Sequence, residues 1–287
     1  MPKFLFSSKT NVKSVIVELE NHSEIAKFWR YSRKIECKNI AINRGGPTME
    51  TIQISENKNS SFISTKETFL ERMRRIVTEK PKKDWGDWRR KIPLEAFGEI
   101  VHLRDLIITH NMTPFLFFGS LLGWYRECSI ITHTQDFDFG IRVIEMNEKF
   151  LKAIETIEAP FWAERRLGLR NESLEYTVKS LKYHFPVDIF FLYDTDNFTY
   201  AAGQSPGLTS YRFSWPKIID DEICAGELFN HFFYVPCEID RHIVHEFGAE
   251  WKKDRPSRHF SWSSGAKNSK IHKRYPKFMR KQVEKFY

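Results

Sequence analysis

The chain is poor in cysteine, with four in 287 residues, at Cys37, Cys128, Cys224 and Cys237. None forms a C-x-x-C pair and no histidine stands at zinc-finger spacing beside them, which argues against a structural zinc site and implies no disulfide framework. The four are expected to be buried thiols. No apolar run reaches the roughly 18 residues that a membrane-spanning helix needs. The opening stretch, "MPKFLFSSKTNVKS", lacks the apolar centre of a signal peptide, so it predicts a soluble chain with no export signal. Against that stand N-x-S/T triplets at Asn21, Asn59, Asn111, Asn171 and Asn197, which hint at a lumenal history. There is no internal repeat and no low-complexity tract.

What remains is ordinary material for a folded domain, 41% hydrophobic and 29% charged, with length enough for one large domain or two small ones. A net charge of +8 suits an anionic partner, whether nucleic acid, a membrane surface or a phosphorylated substrate. Much of the excess lies in "KNSKIHKRYPKFMRKQVEKFY", read as a solvated basic helix. That tail carries no recognisable reading motif, which argues against nucleic acid.

Residues 1–66 are turn-rich and polar around one strand-like alternation, "VKSVIVELE", and read as a small N-terminal subdomain or remnant. Residues 67–91 read as a helical connector, and residues 92–287 as the main domain, ending in the basic tail. Within it, Pro93 opens a helix whose stripe runs through Leu94, Phe97, Val101 and Asp105, widened by Ile100, Leu103 and Ile107. "PFLFF" (114–118) reads as a strand, "LLGWYREC" as a short helix, "DFDFGIRV" as a strand and "MNEKFLKAIETI" as a helix. "SLEYTVKSLKY" and "FPVDIFFLY" read as a strand pair. This order predicts an α+β fold on a mixed sheet flanked by helices.

One strand carries the chemistry. Side chains alternate across a strand, so Asp136 and Asp138 share a face while Phe137 and Phe139 take the other. A third carboxylate, Asp188, sits in the equally apolar "HFPVDIFFLY". Three such carboxylates repel one another and are costly to desolvate, and divalent cations relieve both penalties. An all-oxygen set without Cys or His points to Mg²⁺ or Mn²⁺. Gly119-Ser120, at a strand-to-helix turn, supplies close backbone approach and free helix-terminal N–H groups for a phosphate. A phosphate cradle beside metal-binding carboxylates describes phosphoryl transfer. His133 and Thr134 lie close by in sequence, where they could touch substrate.

These residues resemble the nucleotidyltransferase fold: a Gly-Ser turn, a short helix, D-x-D and a later Asp. More closely, "FGSLLGWYREC…TQDFDFGI" with "VDIFFLY" resembles the fukutin and fukutin-related family and, more distantly, the bacterial LicD phosphocholine transferases. "YVPCEIDRHIVHEFGAEWKKDRP" (234–256) is similar to the LicD-type C-terminal signature. The resemblance spans about residues 84–265. It implies a transferase moving a phospho-alcohol from a CDP-alcohol donor, CDP-ribitol in the fukutin branch, to a glycan or glycoprotein acceptor such as an O-mannosyl glycan. Asp136, Asp138 and Asp188 would then be metal ligands and catalytic, with Gly119, Ser120 and Arg126 holding the donor diphosphate. The family places such enzymes in the Golgi or ER lumen behind a membrane anchor not seen in this stretch. LicD-type proteins often carry a further Asp before the D-x-D, where this chain has Gln135. Two alternatives stand beside this reading: a true nucleotidyltransferase, and a catalytically silent scaffold of a glycosylation complex.

Overall fold

The computed structural model describes residues 91–156, 161–180, 182–205, 207–217, 223–229, 231–236 and 238–287. The expected N-terminal subdomain, nearly all of the connector, Cys37, Cys237 and the Asn21 and Asn59 triplets lie outside them.

The domain is built on a mixed sheet. Strands β1 (Phe115–Leu116), β2 (Phe137–Arg142), β3 (Phe161–Leu167), β4 (Glu175–Ser180), β5 (Pro186–Asp194), β6 (Phe198–Ser205), β7 (Thr209–Pro216), β8 (Ile223–Leu228), β9 (His231–Pro236), β10 (Ser269–Arg274) and β11 (Glu284–Phe286) are joined in it. The main path runs β10-β7-β6-β5-β2-β1-β9-β8, and β4, β3 and β11 branch from β5. The pairs β2–β5 and β1–β9 are parallel and the rest antiparallel. The expected strand pair is β4 and β5. An α+β fold is thus what the sequence forms.

Helices α1 (Phe97–Thr109), α2 (Phe118–Glu127) and α3 (Glu148–Glu155) cover one face. Their apolar residues, among them Ile100, Leu103, Leu121 and Phe150, share a core with Phe137, Phe139 and Ile141 of β2 and Val187, Ile189 and Phe191 of β5. The opposite face carries a second core around Phe117, Phe190, Leu192, Phe213 and Trp215. Alternation along β2 and β5 therefore feeds two different environments. Asn147 caps α3, its side-chain oxygen accepting from the Lys149 and Phe150 N–H groups at 2.9 and 3.3 Å.

Two local expectations shift. The α1 stripe turns by about one position: Arg104 is buried and Asp105 exposed, because the Arg104 guanidinium donates to the Phe232 carbonyl and lies 5.1 Å over the Phe233 ring. The basic C-terminal residues are not a free helix. They place β10 on β7 and β11 on β3 and bury Tyr275 and Val283, with a 3₁₀ turn, Lys277–Met279, and a single α-helical turn, Arg280–Val283, between. Edge pairing supplies what a solvated helix would lack, a ladder for the backbone.

Cys128 and Cys224 are each disulfide-bonded, which corrects the expectation of thiols at these two positions.

Candidate metal and transfer site

Asp136 precedes β2, Asp138 lies within it, and Asp188 is its register partner on the parallel neighbour β5. Paired residues of neighbouring strands share a face, so the three side chains meet. One oxygen from each lies within 4.8 Å of the others. Asp138 and Asp188 are each 7% exposed.

Two of the three carboxyls are tethered by side-chain donors. Thr134 Oγ1 donates to Asp136 Oδ1 at 3.0 Å. Thr177, opposite Asp188 on β4, donates to Asp188 Oδ1 and accepts from Arg165 Nε at 2.8 Å. Burial raises all three above the ordinary carboxylate range. At Asp138 the charges of Asp136, Asp188 and Glu246 add to burial and push it well up. Three mutually repelling, desolvated oxygens with a fixed geometry fit a divalent cation, and the hard-oxygen set fits Mg²⁺ or Mn²⁺.

Gly119 and Ser120 lie in the first turn of α2, which no side chain caps. Phe118 holds a positive φ of 38°, a strained conformation for a non-glycine residue at the turn into the site. A Cβ on Gly119 would stand 3.4 Å from Asp138 Oδ2, so the bare backbone faces the carboxylates directly. The Ser120 hydroxyl accepts the Asp138 N–H at 2.7 Å, fixing the first turn of α2 to β2.

Arg126 is brought to the same cavity, but its guanidinium is engaged elsewhere. Its Nη2 donates to Glu127 at 2.6 Å and to Asp254 at 2.8 Å. His133 shares Asp254, with Nε2 at 3.2 Å. The Ser257 N–H points at His133 Nδ1 at 3.2 Å and Ser257 Oγ donates to the His133 carbonyl, so the ring carries its proton on Nε2. Arg126 and His133 together bind the segment after α4 (Ile239–Phe247) to the D-x-D side of the site.

Asp136, Asp138, Asp188, Gly119, Arg126, His133 and Thr134 line one cavity of about 460 Å³, with Arg165, Gln135, Glu175, Glu246, Lys253 and Arg255 also on its walls. Sequence reasoning missed Glu175 and Glu246. Glu175 follows the same signal that singled out Asp188, a lone carboxylate in an apolar strand. Burial and the charge of Asp188 raise it. Glu246 falls on the buried stripe of α4 with His242 and Ile243.

Residues 111–238 match the family described as LicD/FKTN/FKRP, nucleotidyltransferase domain. Residues 111–238 thus form a LicD-type nucleotidyltransferase domain, similar to that of fukutin. It is 34% identical over 204 residues to uncharacterized protein W02B3.4 of Caenorhabditis elegans, covering 69% of this chain and 52% of that protein. A second relative, uncharacterized protein T07A5.1 of the same organism, is 32% identical over 199 residues, 67% of this chain and 52% of its own length. Ribitol-5-phosphate transferase FKTN of Homo sapiens is 27% identical over 172 residues, 59% of this chain and 36% of that protein. The chain thus spans about half the length of the nematode relatives and less of FKTN. The matched LicD segment contains the Gly119-Ser120 turn, the D-x-D and Asp188, so the carboxylate cluster lies inside the family domain. No helix among the described residues is long and apolar enough to cross a membrane.

Proposed function

We propose that the chain is a metal-dependent transferase that moves a phospho-alcohol, ribitol phosphate or a similar group, from a CDP-activated donor to a hydroxyl of a glycan or glycoprotein. The observation that carries this reading is the meeting of the Asp136, Asp138 and Asp188 carboxylates within 4.8 Å, in one cavity with the uncapped start of α2. The likeness to ribitol-5-phosphate transferase FKTN supports the choice of transferred group.

Asp136, Asp138 and Asp188 would hold Mg²⁺ or Mn²⁺. Such an ion, when bound, supplies Lewis-acid charge to the phosphoryl group and to the departing CMP. The chain's own residues do the rest. Gly119 leaves room for the diphosphate against the backbone N–H groups of the first turn of α2, and Ser120 holds that turn against Asp138. Arg126 acts as a positioning residue through Asp254, keeping the far wall in place, and contributes positive charge to the cavity. In the transfer, the acceptor oxygen bonds to phosphorus, the bond from that phosphorus to the CMP oxygen breaks, and the acceptor proton passes to the Asp188 carboxylate. Positioning and charge stabilisation account for most of the rate.

An oxidising lumen, Golgi or ER, suits the disulfide-bonded Cys128 and Cys224. Asn111, Asn171 and Asn197 are all exposed, as glycan acceptors must be, while the hydroxyl residues of their triplets, Thr113, Ser173 and Thr199, are buried. Glycosylation there would precede folding.

The test is Mg²⁺-dependent CMP release from CDP-ribitol, CDP-glycerol and CDP-choline, with product analysis against labelled CTP. Release of CMP from a CDP-alcohol, with the phospho-alcohol recovered on the acceptor, is the expected result. Incorporation of a nucleoside monophosphate instead identifies a nucleotidyltransferase, and metal binding without either product identifies a scaffold.

A further inference from the structure

Glu246 has no place in the chemistry just described, yet it is among the most deeply buried acids of the domain. It sits in the last turn of α4, is 2% exposed, and lines the cavity that holds the aspartates. Its Oε2 has no hydrogen-bond partner among the described residues. It also stands outside the group whose oxygens lie within 4.8 Å of one another. A buried carboxyl oxygen left unpaired is costly, so the protein tolerates a defect at this point.

The neighbour that could have repaired it does not. His242, one turn earlier, places Nε2 3.9 Å from Glu246 Oε2, beyond hydrogen-bond reach. Its ring is stacked on Trp215 at 4.9 Å and 12°, and burial holds it neutral. Burial likewise raises Glu246, which favours a neutral carboxyl.

The wall beside Glu246 is aromatic. Its carbonyl accepts the Lys267 N–H at 2.7 Å, which ties the end of α4 to the segment bearing Trp262. Trp262 is 42% exposed, lies over Gly203 of β6, and lines the same cavity with Phe260 and Phe247. An apolar, flat wall beside one unpaired carboxyl suits a ring or chain with C–H faces and hydroxyl edges.

We infer that Glu246, with Trp262 and Phe260, forms the hydroxyl-recognising end of the cleft and takes an uncharged sugar or polyol. This rests on the proposed transferase reading, in which both the polyol of the donor and the sugar of the acceptor bring such hydroxyls.

The experiment uses the full chain with Glu246→Leu and Glu246→Gln. Three quantities are read: the melting temperature, Mg²⁺ binding by calorimetry, and binding of CDP-ribitol, of CDP, and of p-nitrophenyl glycosides. Glu246→Leu should melt at the same or a higher temperature and keep its Mg²⁺ affinity. It should lose about tenfold or more in binding of one hydroxyl-bearing probe, the effect of one lost hydrogen bond of about 1.4 kcal/mol, while Glu246→Gln restores most of it. Loss confined to CDP-ribitol, with CDP unchanged, places the donor polyol at Glu246; loss confined to a glycoside places the acceptor sugar there. Unchanged binding of every probe overturns the inference, whatever the melting temperature. So does a loss that Glu246→Gln fails to restore, accompanied by preferred binding of CDP-choline, which marks a cation site. Because binding is read without turnover, a wild type that releases no CMP defeats the transferase reading alone.

Discussion

Asp138 and Asp188 are register partners on parallel strands β2 and β5, held there without hydrogen-bonding to each other's carboxyl. Asp138 receives no side-chain donor among its contacts and Asp188 has Thr177. The fold thus holds two desolvated acids side by side and leaves the compensation to something bound.

Asp138→Asn tests that arrangement most directly. The change is nearly isosteric and removes one charge from the cluster, so metal-free protein should melt at the same or a higher temperature. Mg²⁺ binding should weaken, and transfer should fall by about 10²–10³-fold, as when an electrostatic stabiliser is lost. A destabilised variant with normal turnover per folded molecule would make Asp138 structural.

The same burial sets a pH dependence. Asp136, Asp138, Asp188, Glu175 and Glu246 are all raised from ordinary values of 3.8 for Asp and 4.5 for Glu. A group whose folded value is raised stabilises fully below its unfolded value and loses that contribution as pH climbs through the folded one. Metal-free protein should therefore melt progressively lower from about pH 4 upward through neutrality. Mg²⁺ should oppose the decline, and its stabilising increment should grow with pH as the ligands ionise. Melting curves in EDTA and in Mg²⁺ across that range decide it; an increment that shrinks as pH rises is incompatible with carboxylate ligands.

How far the residues announce this site depends on the kind of signal. Asp136, Asp138 and Asp188 were legible because a carboxylate in an apolar strand violates the pattern around it. Glu175 broke the same rule in "SLEYTV" and could have been found. Glu246 could not, because an acid on an amphipathic helix is ordinary until the packing shows which stripe is buried. The engagement of Arg126 with Asp254 spans 128 positions and leaves no trace in local pattern. The tail misled for the opposite reason: "KIHKR" reads as basic surface, and so it is, but as an edge strand with Lys and Arg on its open side.

Gly119→Ala separates phosphate access from folding. A Cβ there meets Asp138 Oδ2 at 3.4 Å, ordinary contact, so the fold should accept it. Inside a helix Ala is favoured over Gly by about 1 kcal/mol, so melting should hold or rise. The added methyl fills the space proposed for the diphosphate, so the donor KM should rise with little change in Mg²⁺ affinity. Unchanged donor KM would place the diphosphate elsewhere in the cavity.

Removal of residues 267–287 tests whether the basic tail is separable from the domain. Read as a solvated helix, it would be dispensable for metal binding. As strands it is not an appendage: β10 covers the edge of β7, β11 covers that of β3, and Gln204 Nε2 donates to Glu284 Oε1 at 3.0 Å from the cavity wall. Val283 is fully buried against Leu208 and Tyr275. Deletion should expose two edges and empty this small core, lowering the melting temperature sharply and promoting aggregation through the unpaired strands. Charge can be tested apart from structure by replacing the exposed Lys270, Lys273 and Lys281 with Gln. That variant should fold and bind Mg²⁺ normally, with any loss confined to anionic acceptors or membranes and sensitive to salt. A deletion that melts like the intact chain would return residues 267–287 to the status of a tail.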